Sequence, residues 1–302
     1  VHRLFEIEKE KAHGSTIKTI TKAQLSNFKI HLPPLPEQQK IADILSTVDE
    51  KITVIDHQIT ATEELKKGLM QSLLTKGIGH TEFKDSPLGK IPKSWSYLKI
   101  SNVGVLSGGY AFKSKEFNDE GKGYQVIRMS NVQPKGLFKE KNPVFIENLN
   151  QKEKHFVLKA GDVLITLTGT IGKKDYGNVA FIKESNIMVL NQRVGRFNYN
   201  DKISGLYLFY LFNSENFRKQ FFERGKGGTG NQANVGKESF ESIRIILPNL
   251  KSEQKEIAEI LSKVDAKLQT QKDKKQAYLQ LKKGLMQQLL TGKIRVNNLI
   301  EA

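Results

Sequence analysis

The chain has 302 residues, of which 38% are hydrophobic and 26% charged, enough for one large domain or two medium ones. No stretch approaches the eighteen consecutive apolar residues of a membrane span, and the absence of cysteine excludes disulfides and a thiol nucleophile. The formal charge of +16 favours a polyanionic partner, most simply nucleic acid. The first residues lack the apolar core of a signal peptide, so we expect a cytoplasmic protein without a membrane anchor.

Four segments follow one another along the chain. Residues 1–31 have the pattern of the end of a globular unit, and residues 32–80 contain a first long helix. Residues 87–250 mix strand and helix patterns in one basic domain. Residues 251–294 contain a second long helix, so the chain alternates globular and helical parts.

Both long helices carry a narrow apolar seam whose members step alternately by three and four residues. Such a seam is typical of a coiled coil, and the two helices should bury their seams against each other. The domain between them begins and ends near one end of the pair, which favours an antiparallel arrangement; an ordinary helical hairpin inside a globular fold is the alternative. The predicted pairing residues are Leu45, Val48, Ile52, Ile55 and Ile59 in the first helix and Leu261, Val264, Leu268, Leu285 and Leu289 in the second.

The two helices are copies of one another. The sequence from Glu37 to Ile78 matches that from Glu253 to Ile294 at a constant offset, without a gap. Both copies end in nearly the same phrase, LKKGLMQSLLTKGI and LKKGLMQQLLTGKI. The predicted fold class is therefore α+β, a mixed domain attached to a long antiparallel two-helix coiled coil.

Motifs for independent catalysis are missing from the sequence. In the stretch 228–239, Gly230 and Gly236 enclose five residues where a phosphate-binding loop has four, and Lys237 is not followed by Ser or Thr. The six histidines are scattered, so we expect no metal site, and we expect no directly bound cofactor. The chain is therefore predicted not to be an enzyme by itself.

The repeated helices around a basic domain resemble the specificity subunit of type I restriction–modification enzymes. Phrases of the middle domain support the resemblance: IPKSWSYLKISNV (91–103), GYQVIRMSNV (123–132), LKAGDVLITLTGTIGK (158–173), LNQRVGRF (190–197) and GGTGNQANVGKESFESIRIILP (227–248). The resemblance implies that 87–250 is a target recognition domain which reads one half of a split DNA site. It also implies that 1–31 is the tail of a truncated first recognition domain.

The resemblance implies the partners as well. They are double-stranded DNA, methyltransferase subunits docked on the helical spacer, and motor–nuclease subunits. S-adenosylmethionine is expected in the methyltransferase partner and not in this chain. Because only one recognition domain is complete, two copies of the chain could associate to supply both halves of the reader.

Candidate DNA contacts lie on polar segments of the domain that contain glycines or turns. Arg, Asn and Gln can fork onto base edges, whereas Lys suits phosphates. Arg128 could equally form a structural ion pair, Thr168 and Thr170 could serve a strand, and residues 225–234 could be a solvated connection. The candidates are Tyr110, Lys113, Ser114, Arg128, Asn131, Thr168, Thr170, Lys173, Lys174, Gln192, Arg193, Lys226, Thr229, Asn231, Gln232 and Asn234.

Two other functions stay open at this point. One is a coiled-coil dimerisation scaffold whose globular domain binds another protein, which tight self-association without DNA binding would favour. The other is a single-chain nuclease or methyltransferase, which methyl transfer by the isolated chain would favour.

Overall fold

A computed structural model describes residues 21–27, 32–133, 142–184, 187–227 and 232–296. The chain forms two compact units, the first from residues 1–61 and 268–302 and the second from residues 62–267. The predicted α+β class is confirmed, since long helices accompany a domain of mixed strands and helices. Of the tail predicted in 1–31, residues 1–20 and 28–31 lie outside the described part, and Lys22–Ser26 is a short helix.

The two long helices run from Leu35 to Lys76 and from Lys251 to Leu289. In the first unit they are antiparallel, because Asp49 meets Lys282 at 2.6 Å and Asp56 meets Lys275 at 2.6 Å. A step forward along one helix is thus an equal step backward along the other. These ion pairs are partly exposed, and each stabilises the helix pair by about 0–1 kcal/mol. They therefore specify the register of the two helices but contribute little to the stability of their pairing.

Apolar contacts accompany the ion pairs in the first unit. Ile41 and Leu289 are buried together, and Leu45 and Leu285 pack against them. The predicted seam residues Val48, Ile55 and Leu268 are also buried, and Ile52, Ile59 and Val264 are half-buried. Leu261 differs, because it is fully buried in the core of the globular domain.

In the second unit the helices are also antiparallel, since Lys66 contacts Asp265 at 2.5 Å and Ile78, later in the chain, donates its N–H to Glu253, which lies earlier in the second helix. Tyr210 from the globular domain also donates its hydroxyl to Asp265 at 2.8 Å. Burial, together with the neighbouring carboxylate, raises the pKa of Tyr210 above its ordinary value, so this hydroxyl stays a donor at neutral pH.

The domain between the helices is built on short strands. Their bounds are β1 Phe83–Lys84, β2 Ile91–Pro92, β3 Trp95–Lys99, β4 Gly104–Gly108, β5 Tyr124–Ile127, β6 Phe145–Ile146, β7 Val163–Thr166, β8 Thr168–Thr170, β9 Val179–Phe181, β10 Met188–Leu190, β11 Val194–Tyr199, β12 Lys226–Gly227, β13 Gln232–Asn234 and β14 Arg244–Pro248. The largest described sheet has the order β4-β11-β7-β9, and all its pairings are antiparallel. Smaller sheets follow the orders β10-β5-β6, β12-β13-β8, β14-β3 and β1-β2.

The described part of the domain also contains three short α-helices: Gly205–Phe212, Glu215–Glu223 and Lys237–Glu241. The first begins at Ser204, whose side chain caps Tyr207 N–H, and it packs against β7 and β9. Six of its residues are buried, because a helix that is apolar on all sides belongs in a core. Phe212 stacks on Phe217 with ring centroids 4.5 Å apart, and Phe240 meets both rings edge-on. Within the described residues, no helix combines the length and hydropathy needed to cross a membrane.

The end of the first unit contains a bidentate ion pair. Arg295 donates from Nε and Nη2 to the two carboxylate oxygens of Glu37, at 2.8 and 2.7 Å, and Val296 N–H donates to Oε1 at 3.2 Å. The hydrogen bonds from Arg295 hold the pKa of Glu37 below its ordinary value of 4.5. A lowered pKa adds stability above the unfolded-state pKa, and this stability is lost as the pH falls through the folded-state value.

We predict that Glu37→Gln removes part of the acid sensitivity of the protein. Between about pH 6 and about pH 3, the free energy of unfolding should fall less steeply for the variant than for the wild type, because one lowered carboxyl pKa is gone. Denaturant unfolding at several pH values measures the slope. Glu50→Gln, at an exposed position on the same helix, is the control, and an unchanged slope in Glu37→Gln would contradict the assignment.

Candidate nucleic-acid interface

The sheet β12-β13-β8 brings together segments that are far apart in the sequence. Gln232 lies opposite Thr170, and Asn234 lies opposite Thr168. Alternate residues of a strand share a face, so these four side chains lie on one face and Ala233 lies on the other. Ala233 is buried, whereas Gln232 and Asn234 are exposed, which makes this face a polar, solvent-facing surface.

A tight turn lies next to this sheet. Gln192 N–H donates to the Tyr110 carbonyl at 2.8 Å, and Leu167 N–H donates to the Arg193 carbonyl at 3.0 Å. Arg193 has a left-handed φ of 71°, which is uncommon for a residue with a side chain and leaves both turn side chains exposed. Because Gln192 and Arg193 lie in a turn and not in a strand, the alternation of strand faces does not separate them.

The loop after β8 is fixed at both ends. Asp175 accepts hydrogen bonds from Thr170 N–H at 2.6 Å and from the Thr170 hydroxyl at 3.1 Å. The backbone hydrogen bond is the main cause that holds the pKa of Asp175 below its ordinary value. Thr170 is therefore committed to the loop as well as to the sheet, and Lys173 is exposed at the loop's outer side.

Aromatic and cationic groups brace the far side of the same loop. Arg218 donates to the Gly177 carbonyl at 2.9 Å and lies 5.0 Å from the centre of the Phe222 ring. Lys174 lies over the same ring at 5.4 Å, in a left-handed backbone conformation with φ of 50°. Arg218 and Phe222 were missed from the sequence, because no local pattern indicates that residues so far along the chain support this loop. Lys174 is thus partly committed to packing, a role that the sequence did not suggest.

Tyr110 and its neighbours form the next part of the surface. Tyr110 is half-buried and packs on Phe112 and Phe156, with ring centroids 5.0 and 5.3 Å away. Phe112 is buried, as a core residue would be. Beyond it, Lys113 and Ser114 are exposed, so this segment presents polar side chains from an apolar base.

The segment RMSN places its two candidates differently from expectation. Asn131 is fully buried, and its side-chain oxygen accepts from Arg128 N–H at 2.8 Å. A buried amide that closes a turn cannot reach a base edge, so we remove Asn131 from the candidate surface. Arg128 is half-buried and donates from Nη2 to the Asn142 carbonyl at 2.6 Å. The structural role left open by the sequence was an ion pair between Arg128 and a carboxylate, whereas the partner in the structure is the backbone carbonyl of Asn142.

Three candidates belong to the glycine-rich stretch that begins with β12 and leads to β13: Lys226, Thr229 and Asn231. Thr229 and Asn231 lie in 228–231, outside the described residues. The backbone of Lys226 pairs with that of Asn234 in the β12–β13 ladder. All three stay predictions.

Within the described part of the chain, no group of three or more His, Cys, Asp or Glu side chains could hold a metal ion. What the domain does offer is exposed amides, a guanidinium and lysines on neighbouring strands and turns. Amides and guanidinium groups suit base edges, and lysines suit phosphates. Exposed groups of this kind make the surface a candidate for contact with nucleic acid.

Comparison with known proteins identifies the family. The family model described as the type I restriction modification DNA specificity domain matches residues 3–64 and 92–280. The MjaVIII specificity subunit of a type I restriction enzyme from Methanocaldococcus jannaschii is 38% identical over 295 residues, which cover 96% of this chain and 68% of that protein. The MjaX specificity subunit of the same organism, which is named as putative, is 33% identical over 92% of this chain and 62% of its own length.

Solved structures show the same fold. A chain from a type I R-M system matches with a TM-score of 0.61 at 17% identity, covering 97% of this chain and 68% of that one. The S subunit from M. genitalium matches with a TM-score of 0.57 at 15% identity, covering 92% of this chain and 67% of its own. The chain belongs to the type I restriction–modification DNA specificity family.

The resemblance that the repeated helices predicted is therefore confirmed. The chain is a specificity subunit of a type I restriction–modification system, a component that works within the complex and is not an enzyme by itself. It spans about two thirds of the length of the relatives it matches.

Proposed function

We propose that the recognition domain binds one half of a split site in double-stranded DNA through the face described above. The observations that carry the proposal are Gln232 and Asn234, exposed on the face opposite buried Ala233, and the exposed Gln192–Arg193 turn next to this sheet. Side-chain amides can pair with adenine, and a guanidinium can fork onto guanine. The fixed strand and turn backbones reduce the entropy lost when these side chains are ordered on DNA.

Separate residues would hold the DNA backbone. Lys113 and Lys173 are exposed on loops beside the polar face, and the whole chain carries a formal charge of +16. Contacts of lysine with phosphate release counterions, so they add affinity without adding sequence preference. We also propose that the protein acts in the cytoplasm. Because different residues would contact bases and phosphates, substitutions of the two groups should have different effects on DNA binding.

We predict that Arg193→Ala and Gln232→Ala weaken binding to the cognate half-site by about 1–3 kcal/mol each and leave binding to random DNA almost unchanged. Lys173→Ala should weaken both by the same factor and reduce the salt slope by about one. Fluorescence anisotropy at several salt concentrations measures all three, once mapping of methylated adenines has supplied the site. Equal losses on both DNAs for Arg193→Ala would remove it from base reading.

The alternative of a protein-binding scaffold gives a different result in the same assay. A scaffold would show no binding to any duplex at low salt, and none of the three substitutions would matter. A single-chain methyltransferase would instead transfer labelled methyl groups to DNA without a second subunit.

We further propose that the repeated phrase LKKGLMQ is where methyltransferase subunits dock. Each copy places a glycine inside the helix, Gly68 and Gly284, and an added Cβ at either glycine would meet nothing within 4 Å. A glycine inside a helix costs about 0.5–1 kcal/mol relative to alanine, and no close packing within the described chain requires it. Three residues before each glycine, Leu65 and Leu281 are about half exposed, at 51% and 50%. Because glycine has no side chain, a partner helix can approach closely beside the exposed leucine. The same pair of residues occurs in both helices, which fits two identical partners.

The expected partners carry the chemistry. The methyltransferase subunits would bind S-adenosylmethionine and modify adenine, and motor–nuclease subunits would join that assembly for restriction. This chain would contribute the choice of site and the distance between its halves.

We predict that Leu65→Glu or Leu281→Glu each removes one methyltransferase subunit from the complex, because a carboxylate would be buried without a partner. Multi-angle light scattering of the mixed subunits gives the stoichiometry. Val54→Glu is a matched control, since Val54 is 51% exposed on the first helix and outside the repeated phrase. Full stoichiometry in both leucine variants would contradict the docking site.

A second reader would come from a second copy of the chain. In the second unit, Leu74 and Ala258 are buried in the core of the recognition domain. Their repeat counterparts in the first unit, Leu290 and Ala42, are exposed, with Leu290 at 56%. We infer that this apolar face is buried against the same face of another copy across a two-fold axis, which would supply two recognition domains to one assembly.

We predict that the chain self-associates and that Leu290→Glu makes it monomeric, since this side chain is exposed on that face. Sedimentation at several concentrations measures the association, and Val54→Glu again serves as control. A wild-type chain that stays monomeric at every concentration would contradict the dimer. In that case, the exposed face would instead bind a recognition domain that belongs to another polypeptide.

A further inference from the structure

The first turn of the second long helix carries a glutamate, Glu253, that binds groups from two other segments. His80 Nε2 lies 2.7 Å from Glu253 Oε1, and Ile78 N–H donates to the same oxygen at 3.4 Å. Trp95 Nε1–H, at the start of β3, is shared between both carboxylate oxygens at 3.2 Å. One carboxylate thus joins the segment after the first helix, the first long strand of the recognition domain and the start of the second helix.

The next residue extends the same junction. Gln254 is buried, and its side-chain oxygen accepts from Ser204 N–H at 2.8 Å. Its amide donates to the Pro248 carbonyl at 2.9 Å. Ser204 caps the apolar helix Gly205–Phe212, so Gln254 ties the core of the recognition domain to the base of the second helix.

The packing at this point leaves no spare space. Gly77 ends the first helix with a positive φ of 68°. An added Cβ there would lie 2.5 Å from Glu253 Oε1 and 2.7 Å from the Trp95 ring. Only glycine fits, because any side chain would displace the carboxylate or the indole.

The internal repeat provides an independent second case. Glu37 is the counterpart of Glu253, and in the first unit it receives hydrogen bonds from Arg295 and Val296, which follow the second helix. In each unit, the glutamate at the start of one helix therefore binds the segment that follows the other helix. Gln38, the counterpart of Gln254, also donates back to the residue Pro33 ahead of its own helix, at 2.7 Å.

We propose that Glu253 is a positioning residue which, with His80 and Trp95, fixes the orientation of the recognition domain on the two helices and thereby the gap between half-sites. The effect on half-site spacing rests on the proposed function, binding of DNA by the recognition domain. Charged hydrogen bonds are stronger than neutral ones, so a carboxylate shared by three donors resists rotation of the domain more than neutral contacts would.

The test measures orientation directly. Because the chain has no cysteine, Ser72→Cys on the first helix and Lys219→Cys on the helix Glu215–Glu223 give two spin-label sites, both exposed and both in the second unit. Double electron–electron resonance on the full chain then reports the distribution of distances between helix and domain. Glu253→Gln and His80→Ala should broaden this distribution severalfold, and His80→Gln, which keeps a donor, should narrow it again.

Two controls separate positioning from stability. Glu256→Gln changes an exposed glutamate on the same helix and should leave the distribution as in the wild type. His80 is only partly buried, so His80→Ala opens no internal cavity and keeps the test valid if Glu253→Gln unfolds. Distributions identical to the wild type in both Glu253→Gln and His80→Ala, whatever their melting temperatures, would overturn the proposal.

A DNA-binding assay tests whether the orientation of the domain affects the preferred gap between half-sites. On duplexes that hold two half-sites at increasing gaps, complexes with His80→Ala should accept a wider range of gaps, while affinity for a single half-site stays unchanged. If the wild type shows no preference for any half-site, the proposed function fails and the resonance result still stands. If the wild type prefers one gap and His80→Ala keeps that preference, the positioning role fails alone.

Discussion

Antiparallel pairing of two helices with a repeated sequence is the constraint on which the remaining structure depends. Because the helices are copies at a constant offset, a contact between them can recur with the roles exchanged, and one ion pair does so. Asp49 meets Lys282 in the first unit, and the counterparts of these residues, Asp265 and Lys66, meet each other in the second. Such exchange requires that the helices run in opposite directions within each unit.

The same repeat explains why the chain has two kinds of surface. Where the recognition domain packs on the helices, Leu74 and Ala258 are buried in its core. Where the counterparts occur without that domain, Leu290 and Ala42 are exposed. The two copies of one apolar position therefore differ in burial, because only one of them packs against the recognition domain.

Sequence patterns predicted the helices well because the signal is local. A seam that steps by three and four residues, bounded by proline, indicated both long helices and buried positions such as Val48 and Ile55. Partners distant in sequence could not be predicted. The ladder that places Gln232 opposite Thr170 depends on pairing between distant segments, and nothing in RMSN showed that Asn131 closes a turn instead of facing solvent. The dipeptide Glu253–Gln254 was visible as part of the repeat, but its partners appeared only with the fold.

Reading DNA and setting a distance place different demands on this chain. The proposed reading face needs exposed side chains that can exchange water for bases, and short strands and turns supply them. The junction at Glu253 needs the opposite, a charged group with its donors already in place, because flexibility there would spread the positions of every reading residue at once. A small rotation at a junction is amplified by distance from it, so rigidity at the base of the domain matters more to half-site spacing than any single contact at its surface.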